Sequence, residues 1–474
     1  MQRTLRLLQV LEISMIKLAL FFYIFFGLSI VRSQVKEDST YLIYKEQLGS
    51  LYRTRGMDEQ EITTLINNYR GNDIKSHQDF AQLLGTLYPA NQGIGVLVFF
   101  YQKDTLSQLF FTPGNLISEK KFYVTKNDLI RLNKDIIESL GILNLTDNRL
   151  PRKRGVVLGQ EKNSMASYQQ CLKKAESLII PDTFDSTFNH LIIVPAQNIG
   201  TFPFHLFQPF DNQEYFIDRC SFTIAPSLID LIGLRSRLLK EKFNLNLEEY
   251  LAKKSLFSDF MSQRNVQFTF DKSTFIVNPV YPKNSPYIFP DLPGAEIEVE
   301  TICSLLPSPV KLHGEKAIKS NVIAFMNGTD LTYFATHGMA SEENPMLESY
   351  LVLSEPEPYL SAKDIMDLRH DHSFVFPEMV VLSACQTGLG KSMDAGIVGL
   401  ARPFLIGGSK HVVMSLWNVD DQATAYLMSR FMHHLLLPYM NSPAEPLRQA
   451  IIDTKKVYPH PSYWASFSLF GVNY

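Results

Sequence analysis

The sequence predicts an α/β fold, a parallel-sheet sandwich with helices on both faces, preceded by a short helical lead-in and a smaller α/β N-terminal part. Two observations lead to this prediction. From about residue 163 onwards, short apolar runs alternate with amphipathic segments, which is typical of a parallel sheet covered by helices on both sides. Before residue 90, apolar residues recur at helical spacing instead.

Composition excludes several classes of protein. The 474 residues are 45% hydrophobic and 12% aromatic, which is enough apolar material for a large core in two or three domains. The formal charge is −3, with no long basic block, so we expect no nucleic-acid partner. The four cysteines show no CxxC spacing, which argues against a zinc or redox pair. At most one disulfide can form among Cys171, Cys220 and Cys303.

The first 33 residues contain a candidate export signal. Residues 18–31 form an apolar run between Lys17 and Arg32, and this run is short for a membrane-spanning helix, which needs about 20 residues. We therefore expect a signal peptide at 1–33, whose removal leaves a secreted or periplasmic protein that begins near Gln34. The alternative is an uncleaved membrane anchor, and only then is a membrane a partner.

Residues 34–90 form the predicted helical lead-in. Four residues fall at helical spacing, namely Tyr41, Tyr44, Leu48 and Leu51. Asp58 and Glu61 form a candidate capping box at the start of a second helix. The segment is too short for an array of helical repeats, so we expect it to pack as a lead-in that could still hold a partner.

Residues 91–270 form the predicted N-terminal α/β part. We expect a hairpin where Lys103-Asp104 separates two aromatic and β-branched strands, Val96–Tyr101 and Leu106–Thr112. The further predicted elements are helices at Asp128–Leu140 and 163–180, strands at His190–Pro195 and Cys220–Ala225, and a helix from Ser227.

Residues 271–474 form the predicted second α/β part. Its elements are a strand at Thr274–Val277, a helix from Ala295, and strands at Leu331–Thr336, Met379–Ala384 and His411–Leu416. Reactive residues in an open parallel sheet lie at the C-terminal ends of strands. Two of these ends carry candidate reactive side chains, because His337 precedes Gly338 directly after one strand and Cys385 directly follows another.

His337 and Cys385 have the chemistry of a base and a thiol nucleophile. A thiol must become a thiolate to attack a carbonyl, and a nearby imidazole lowers the pKa of the thiol and later protonates the leaving amine. The oxyanion needs N–H donors, and we expect the backbone N–H groups of Gly338 and Cys385 to supply them. Each residue alone is more often structural. Their occurrence together, separated by 48 residues, favours a catalytic pair over two structural residues.

Four further histidines do not predict a metal site or a cofactor site. His370, His372, His433 and His434 have neither a carboxylate nor a thiolate at ligand spacing. We therefore expect these four histidines at the surface.

Three motifs resemble the CHAT domain family in order and spacing: Tyr333–Gly338, Leu382–Gly388 and Val413–Asp421. The resemblance extends upstream through Ile192–Pro195, Ala225–Ser227 and Leu292–Glu296, and covers roughly residues 90–474. It implies a caspase-like fold related to caspases, separases and gingipains. The N-terminal α/β part then corresponds to a pseudo-caspase-like part at 91–270, and the catalytic subdomain lies at 271–474.

The resemblance also implies a histidine–cysteine dyad, which falls on His337 and Cys385. The expected function is a cysteine endopeptidase that hydrolyses peptide bonds of a protein or peptide substrate through a thioester acyl-enzyme. The alternative is a non-catalytic CHAT-type protein-interaction module. CHAT domains commonly follow long helical repeats and are commonly intracellular, and this chain departs from both patterns.

Asp420 and Asp421 are the candidate substrate-binding residues. They directly follow the strand that ends at Trp417, where the resembling separases carry an acidic residue associated with recognising arginine. A carboxylate beside the nucleophile favours a basic residue before the cut bond, since arginine pairs with it bidentately. The alternative is that Asp420 caps the following helix. One carboxylate does not serve both roles, so one aspartate caps while the other faces the cleft.

Overall fold

The computed structural model describes most of the chain outside its N-terminus. The described residues are 39–53, 57–68, 74–88, 93–141, 165–210, 214–243, 249, 268–285, 287, 289–339, 341, 346–383, 391–393, 396–398, 400–417, 420–438 and 442–472. The predicted signal peptide at 1–33 and the predicted nucleophile Cys385 lie outside the described residues. No helix among the described residues is long and apolar enough to cross a membrane.

The lead-in consists of three helices, α1 (Ser39–Arg53), α2 (Glu59–Asn68) and α3 (His77–Leu87). The predicted capping box is present, because the Asp58 N–H donates to Glu61 and the Glu61 N–H donates to Asp58, at 2.9 and 2.8 Å. The helical prediction for this segment is confirmed.

The predicted hairpin is formed by β1 (Ile94–Gln102) and β2 (Thr105–Thr112). Lys103 and Asp104 between them both have positive φ, at 47° and 58°, which matches the twist that a two-residue hairpin turn requires. A third strand, β3 (Asn115–Tyr123), was not predicted. Its alternate residues are exposed. Because one face of this strand lies in solvent, its sequence is polar and contains no apolar run that would predict a strand.

The other elements of the N-terminal part match the predicted order. They are α4 (Lys126–Ser139), α5 (Met165–Ile179), β4 (His190–Val194), α6 (Phe216–Arg219), β5 (Ser221–Ile224) and α7 (Leu228–Phe243). The two predicted strands end one residue beyond the observed strands, the predicted helices are present in the expected order, and α6 was not predicted.

The second α/β part contains all the predicted strands and further strands and helices. Its strands are β6 (Ser273–Val277), β7 (Pro309–His313), β8 (Leu331–Ala335), β9 (Gly338–Met339), β10 (Tyr350–Val352), β11 (Tyr359–Ser361), β12 (Met379–Leu382), β13 (Lys391–Met393), β14 (Gly396–Val398), β15 (His411–Ser415) and β16 (Phe467–Gly471). Its helices are α8 (Pro293–Cys303), α9 (Lys319–Met326), α10 (Ala362–Asp367), α11 (Ala401–Gly407), α12 (Asp421–Leu435), α13 (Ala444–Val457) and α14 (Pro461–Trp464).

One sheet of eleven strands runs through both parts of the described chain, in the order β3-β2-β1-β4-β5-β16-β15-β12-β8-β6-β7. β1, β4 and β5 are mutually parallel, as are β7, β6, β8, β12 and β15. β16 joins the two sets, since it is parallel to β5 and antiparallel to β15. The predicted α/β fold class is confirmed, while the boundary predicted at residue 270 stays a prediction.

The core follows the central strands. β4, β8, β12 and β15 are buried along their whole length, which is why these strands read as continuous apolar runs. Cys171, Cys220 and Cys303 are free thiols, so the one disulfide that the sequence allowed is not formed in this structure.

Candidate active site

His337 lies two residues beyond the end of β8, in the middle of the second set of parallel strands. β8 is hydrogen-bonded to β6 on one side and to β12 on the other. The Thr336 hydroxyl donates to the Val352 carbonyl at 2.6 Å, and the Val352 N–H donates to the His337 carbonyl at 2.9 Å. These bonds fix the backbone on both sides of the histidine.

The His337 side chain is held by a backbone carbonyl. Its Nε2 lies 2.7 Å from the Pro290 oxygen, and because a carbonyl only accepts, Nε2 carries the proton and donates. The other ring nitrogen, Nδ1, is then the basic nitrogen of the neutral ring. Sequence reasoning missed Pro290 because a backbone acceptor is present at every residue.

Asn278 fixes the loop that presents Pro290. Asn278 follows β6 with a φ of 39°, and its N–H donates to the Ala335 carbonyl at 3.1 Å. Its side chain accepts from the Leu292 N–H and donates to Glu296, each at 2.9 Å. Hydrogen bonds from Asn278 and then from His313 lower the pKa of the Glu296 carboxyl. The two ends of the loop are therefore tied to each other.

Two aromatic rings from this loop cover His337. The ring centroids of Tyr281 and Phe289 lie 4.7 and 5.4 Å from that of His337 and 6.1 Å from each other. These three distances place both aromatic rings on the same side of the imidazole. His337 is only 4% exposed.

A buried pair anchors α8 beneath the histidine. The Tyr333 hydroxyl donates a short hydrogen bond to Glu298, and both side chains are fully buried. Tyr333 lies in β8, four residues before His337. This hydrogen bond therefore fixes α8, and with it the loop before α8, relative to the strand that carries the histidine.

The strand pairing fixes the direction of the Gly338 N–H. It lies in β9 opposite Leu351 of β10. Because the neighbouring residues His337 and Val352 are joined by a hydrogen bond, the Gly338 pair is of the kind whose N–H groups point away from the partner strand. The Gly338 N–H thus points away from β10.

The structure separates the roles of Asp420 and Asp421. Asp420 caps α12, because its Oδ1 accepts from the N–H groups of Gln422 and Ala423 at 3.0 and 3.1 Å. The capping alternative is therefore correct for Asp420, and its carboxylate is occupied at the helix end. Asp421 lies in the first turn of α12 beside Gly294, where a Cβ on the glycine would be 2.6 Å from the Asp421 Cβ.

The four other histidines do not form a metal site. His370, His372 and His433 are exposed, as expected. His434 differs, because it is largely buried and lies 2.9 Å from Asp453, a carboxylate far from it in sequence. No cluster of three metal-ligating side chains occurs among the described residues.

The parallel sheet and the strand-end histidine place the chain in a class of caspase-like α/β proteins. The family model for the CHAT domain matches residues 168–472. The chain belongs to the CHAT domain family, as the sequence motifs indicated.

Curated relatives share part of this chain. Tetratricopeptide repeat protein 28 of Homo sapiens is 24% identical over 319 residues, which cover 59% of this chain and 12% of the relative. The Mus musculus protein of the same name is 27% identical over 220 residues, which cover 39% of this chain and 9% of the relative. The chain thus spans about an eighth or less of the length of these relatives.

Two solved structures are similar to the chain at low sequence identity. The separase–securin complex of Saccharomyces cerevisiae matches with a TM-score of 0.51 and 12% identity, over 89% of this chain and 33% of that chain. The complex of the pro- and mature domains of RgpB from Porphyromonas gingivalis matches with a TM-score of 0.40 and 11% identity, over 65% of this chain and 69% of that chain.

Proposed function

We propose that this protein is a cysteine endopeptidase in which His337 and Cys385 form the catalytic dyad. One observation carries the proposal. β8 and β12 are adjacent and parallel, with Phe334 opposite Leu382, and His337 and Cys385 each follow that pair by three residues. The two residues therefore continue from equivalent positions of neighbouring strands.

The proposed reaction is acyl transfer. The Cys385 thiol gives its proton to Nδ1 of His337, and the thiolate attacks the substrate carbonyl to form a C–S bond. The C–N bond breaks when the imidazolium protonates the leaving amine. Water then gives a proton to His337 and attacks the thioester, and the C–S bond breaks to release the acid and the thiol. The Pro290 carbonyl supports each imidazolium by accepting from Nε2.

The Gly338 N–H is the proposed first donor to the oxyanion. It points away from β10 and lies next to the histidine, and the Cys385 N–H is the proposed second donor. Backbone donors that are already fixed stabilise the tetrahedral intermediate without reorganisation.

Asp421 is the proposed recognition residue for a basic side chain before the cut bond. Asp420 caps α12, and the proposal therefore uses Asp421, the other candidate of the sequence. It follows β15, which neighbours β12 in the sheet. An arginine side chain suits a carboxylate at such a place because two parallel hydrogen bonds form.

We also propose that the protein is secreted or periplasmic, with residues 1–33 removed as a signal peptide. The support is the short apolar run at 18–31. N-terminal sequencing of the processed protein is expected to begin near Gln34. A protein that stays in the membrane through high salt with residues 18–31 intact is instead anchored.

A non-catalytic interaction module is the second candidate function. The burial of His337 to 4% exposure favours it, because a general base must reach the proton that it abstracts.

Labelling with a small electrophile tests the dyad without a known substrate. The full chain is treated with chloroacetamide and the modified cysteines are mapped by mass spectrometry. Burial raises the pKa of the Cys171 thiol, raises that of Cys220 further and raises that of Cys303 to about 11, so these three are slow internal references. We expect Cys385 to react fastest, and to react more slowly in His337→Ala. Equal rates at all four cysteines would favour the module.

A further inference from the structure

The candidate site is bordered by a group of aromatic side chains that the proposed dyad does not use. This aromatic rim consists of Tyr281, Tyr287, Phe289, Tyr350 and Tyr359. Tyr281, Tyr287 and Phe289 come from the loop between β6 and α8, and the other two come from β10 and β11.

The first three rings form a series that starts at His337. Tyr281 and Phe289 contact the imidazole directly, as described above, and Tyr287 lies 6.3 Å from Phe289 between ring centroids. Tyr281 is 8% exposed, whereas Phe289 and Tyr287 are half-buried. The series therefore runs from the buried histidine towards solvent.

Ser285 joins these rings to the second pair. Its hydroxyl oxygen accepts from the Tyr287 N–H and from the Tyr359 hydroxyl, each at 3.1 Å. Tyr359 contacts Tyr350 at 4.5 Å between ring centroids. Tyr350 lies opposite Met339, the residue after Gly338. The rim thus borders the site on the histidine side and on the glycine side.

The partial burial of these rings points to binding rather than to packing alone. Core aromatic residues such as Tyr333, Phe334 and Phe275 are fully buried, whereas four rings of the rim each keep part of their surface in water. Aromatic side chains with few rotatable bonds offer a large apolar contact area at low entropic cost. Binding sites for small groups are lined mainly by such side chains, with a few polar groups that set orientation.

We propose that the aromatic rim is an apolar subsite that selects substrates with a bulky apolar or aromatic residue close to the scissile bond. This inference rests on the proposed peptidase function, since it places the subsite beside the reacting histidine. The aromatic rim and Asp421 then recognise two different residues of one peptide. An apolar side chain gains by removing Phe289 and Tyr287 from water, whereas a carboxylate loses its hydration there.

Protection of Cys385 by peptides tests the subsite and needs no turnover. Chloroacetamide labelling of the full chain is followed in the presence of hexapeptides that contain one fixed arginine, one phenylalanine scanned through the other positions, and alanine elsewhere. We expect at least one phenylalanine peptide to halve the labelling rate at a concentration about tenfold below the concentration that its parent peptide needs, where the parent has alanine in place of the phenylalanine. Glutamate at the same position is expected to remove this gain.

Variants assign the gain to the rim. Tyr287→Ala and Phe289→Ala are expected to bring the phenylalanine and alanine peptides to within about twofold of each other. Val375→Ala is the matched control, because Val375 is 60% exposed and lies outside the site. Labelling without peptide shows whether each variant keeps an intact dyad. If Phe289→Ala disturbs His337, the result for Tyr287→Ala decides the test.

The two proposals fail in different ways. If labelling of Cys385 does not depend on His337, the peptidase proposal is wrong and the subsite falls with it. If labelling depends on His337 but no phenylalanine peptide protects better than its alanine parent, the subsite alone is wrong. An unchanged gain in both Tyr287→Ala and Phe289→Ala also overturns it.

Discussion

Gly294 and Asp421 lie so close together that a Cβ on Gly294 would be 2.6 Å from the Asp421 Cβ and 2.8 Å from its Oδ2. The first turns of α8 and α12 meet at this point. Gly294 lies four residues after Pro290, whose carbonyl holds His337. This contact therefore links α12, which bears Asp421, to the start of α8, directly after the loop that orients the proposed base.

We expect Gly294→Ala to lower the free energy of unfolding by about 1–3 kcal/mol, because the added methyl group overpacks this contact. Urea unfolding measures the change. Gly49→Ala is the matched control, since its Cβ would meet only the far end of the Arg53 side chain at 3.5 Å and alanine favours a helix. Equal effects of the two substitutions would show that the Gly294 contact is not tight.

Substitution of the dyad is expected to be non-additive. His337→Ala and Cys385→Ala should each abolish peptide hydrolysis, and the double variant should be about as inactive as either single variant, because the two residues act as one unit. Turnover numbers for all three variants test this, with circular dichroism as the control for folding. Retained hydrolysis in Cys385→Ala contradicts the mechanism.

Asp421 is expected to set a preference for a basic residue. Asp421→Asn should reduce kcat/KM for a peptide with arginine before the cut bond by about tenfold or more, and leave a leucine peptide unchanged, because the paired charge is lost. Asp420→Asn is the control. It should mainly destabilise α12, since Asp420 caps that helix. An arginine preference that survives Asp421→Asn excludes Asp421 from recognition.

Asp453 is expected to make the free energy of unfolding depend on pH in the acidic range. Burial alone would raise the pKa of its carboxyl, but hydrogen bonds from His434 and Arg430 outweigh burial and hold the pKa at about 2. A depressed folded pKa gives stability that is present above the unfolded value of about 3.9 and is lost as the pH falls towards 2. The free energy of unfolding of the Asp453→Asn variant should depend less on pH between about 4 and 2 than that of the wild type. Identical slopes would contradict this assignment.

The buried ion pair between Arg402 and Asp230 is expected to be costly to break on one side. The two side chains are 2% and 9% exposed and lie 2.8 Å apart, joining α11 to α7. Arg402→Met should lower the free energy of unfolding by about 3–5 kcal/mol, because it leaves a buried carboxylate. The double variant with Asp230→Leu should regain part of this loss. Arg219→Met, in an exposed pair, should change stability by about 1 kcal/mol or less.

The sequence by itself determined the secondary structure that places the candidate site. Strands such as β8 and β12 are buried on both faces, and the Lys103-Asp104 turn adopts the positive φ values that its hairpin needs. These features depend on residues that are close in the chain, so periodicity and turn chemistry reveal them. The position of His337 just beyond a strand and the capping alternative for Asp420 were readable for the same reason.

Only the tertiary structure decided which groups meet. β16 joins the two sets of strands, although the short run that forms it gives no sign of its partners. The Pro290 carbonyl holds His337 across 47 residues of sequence, and a backbone acceptor leaves no trace in the residue type. The place of Asp421 beside Gly294 follows from how α8 packs against α12, because contacts between distant segments are set by packing and not by local pattern.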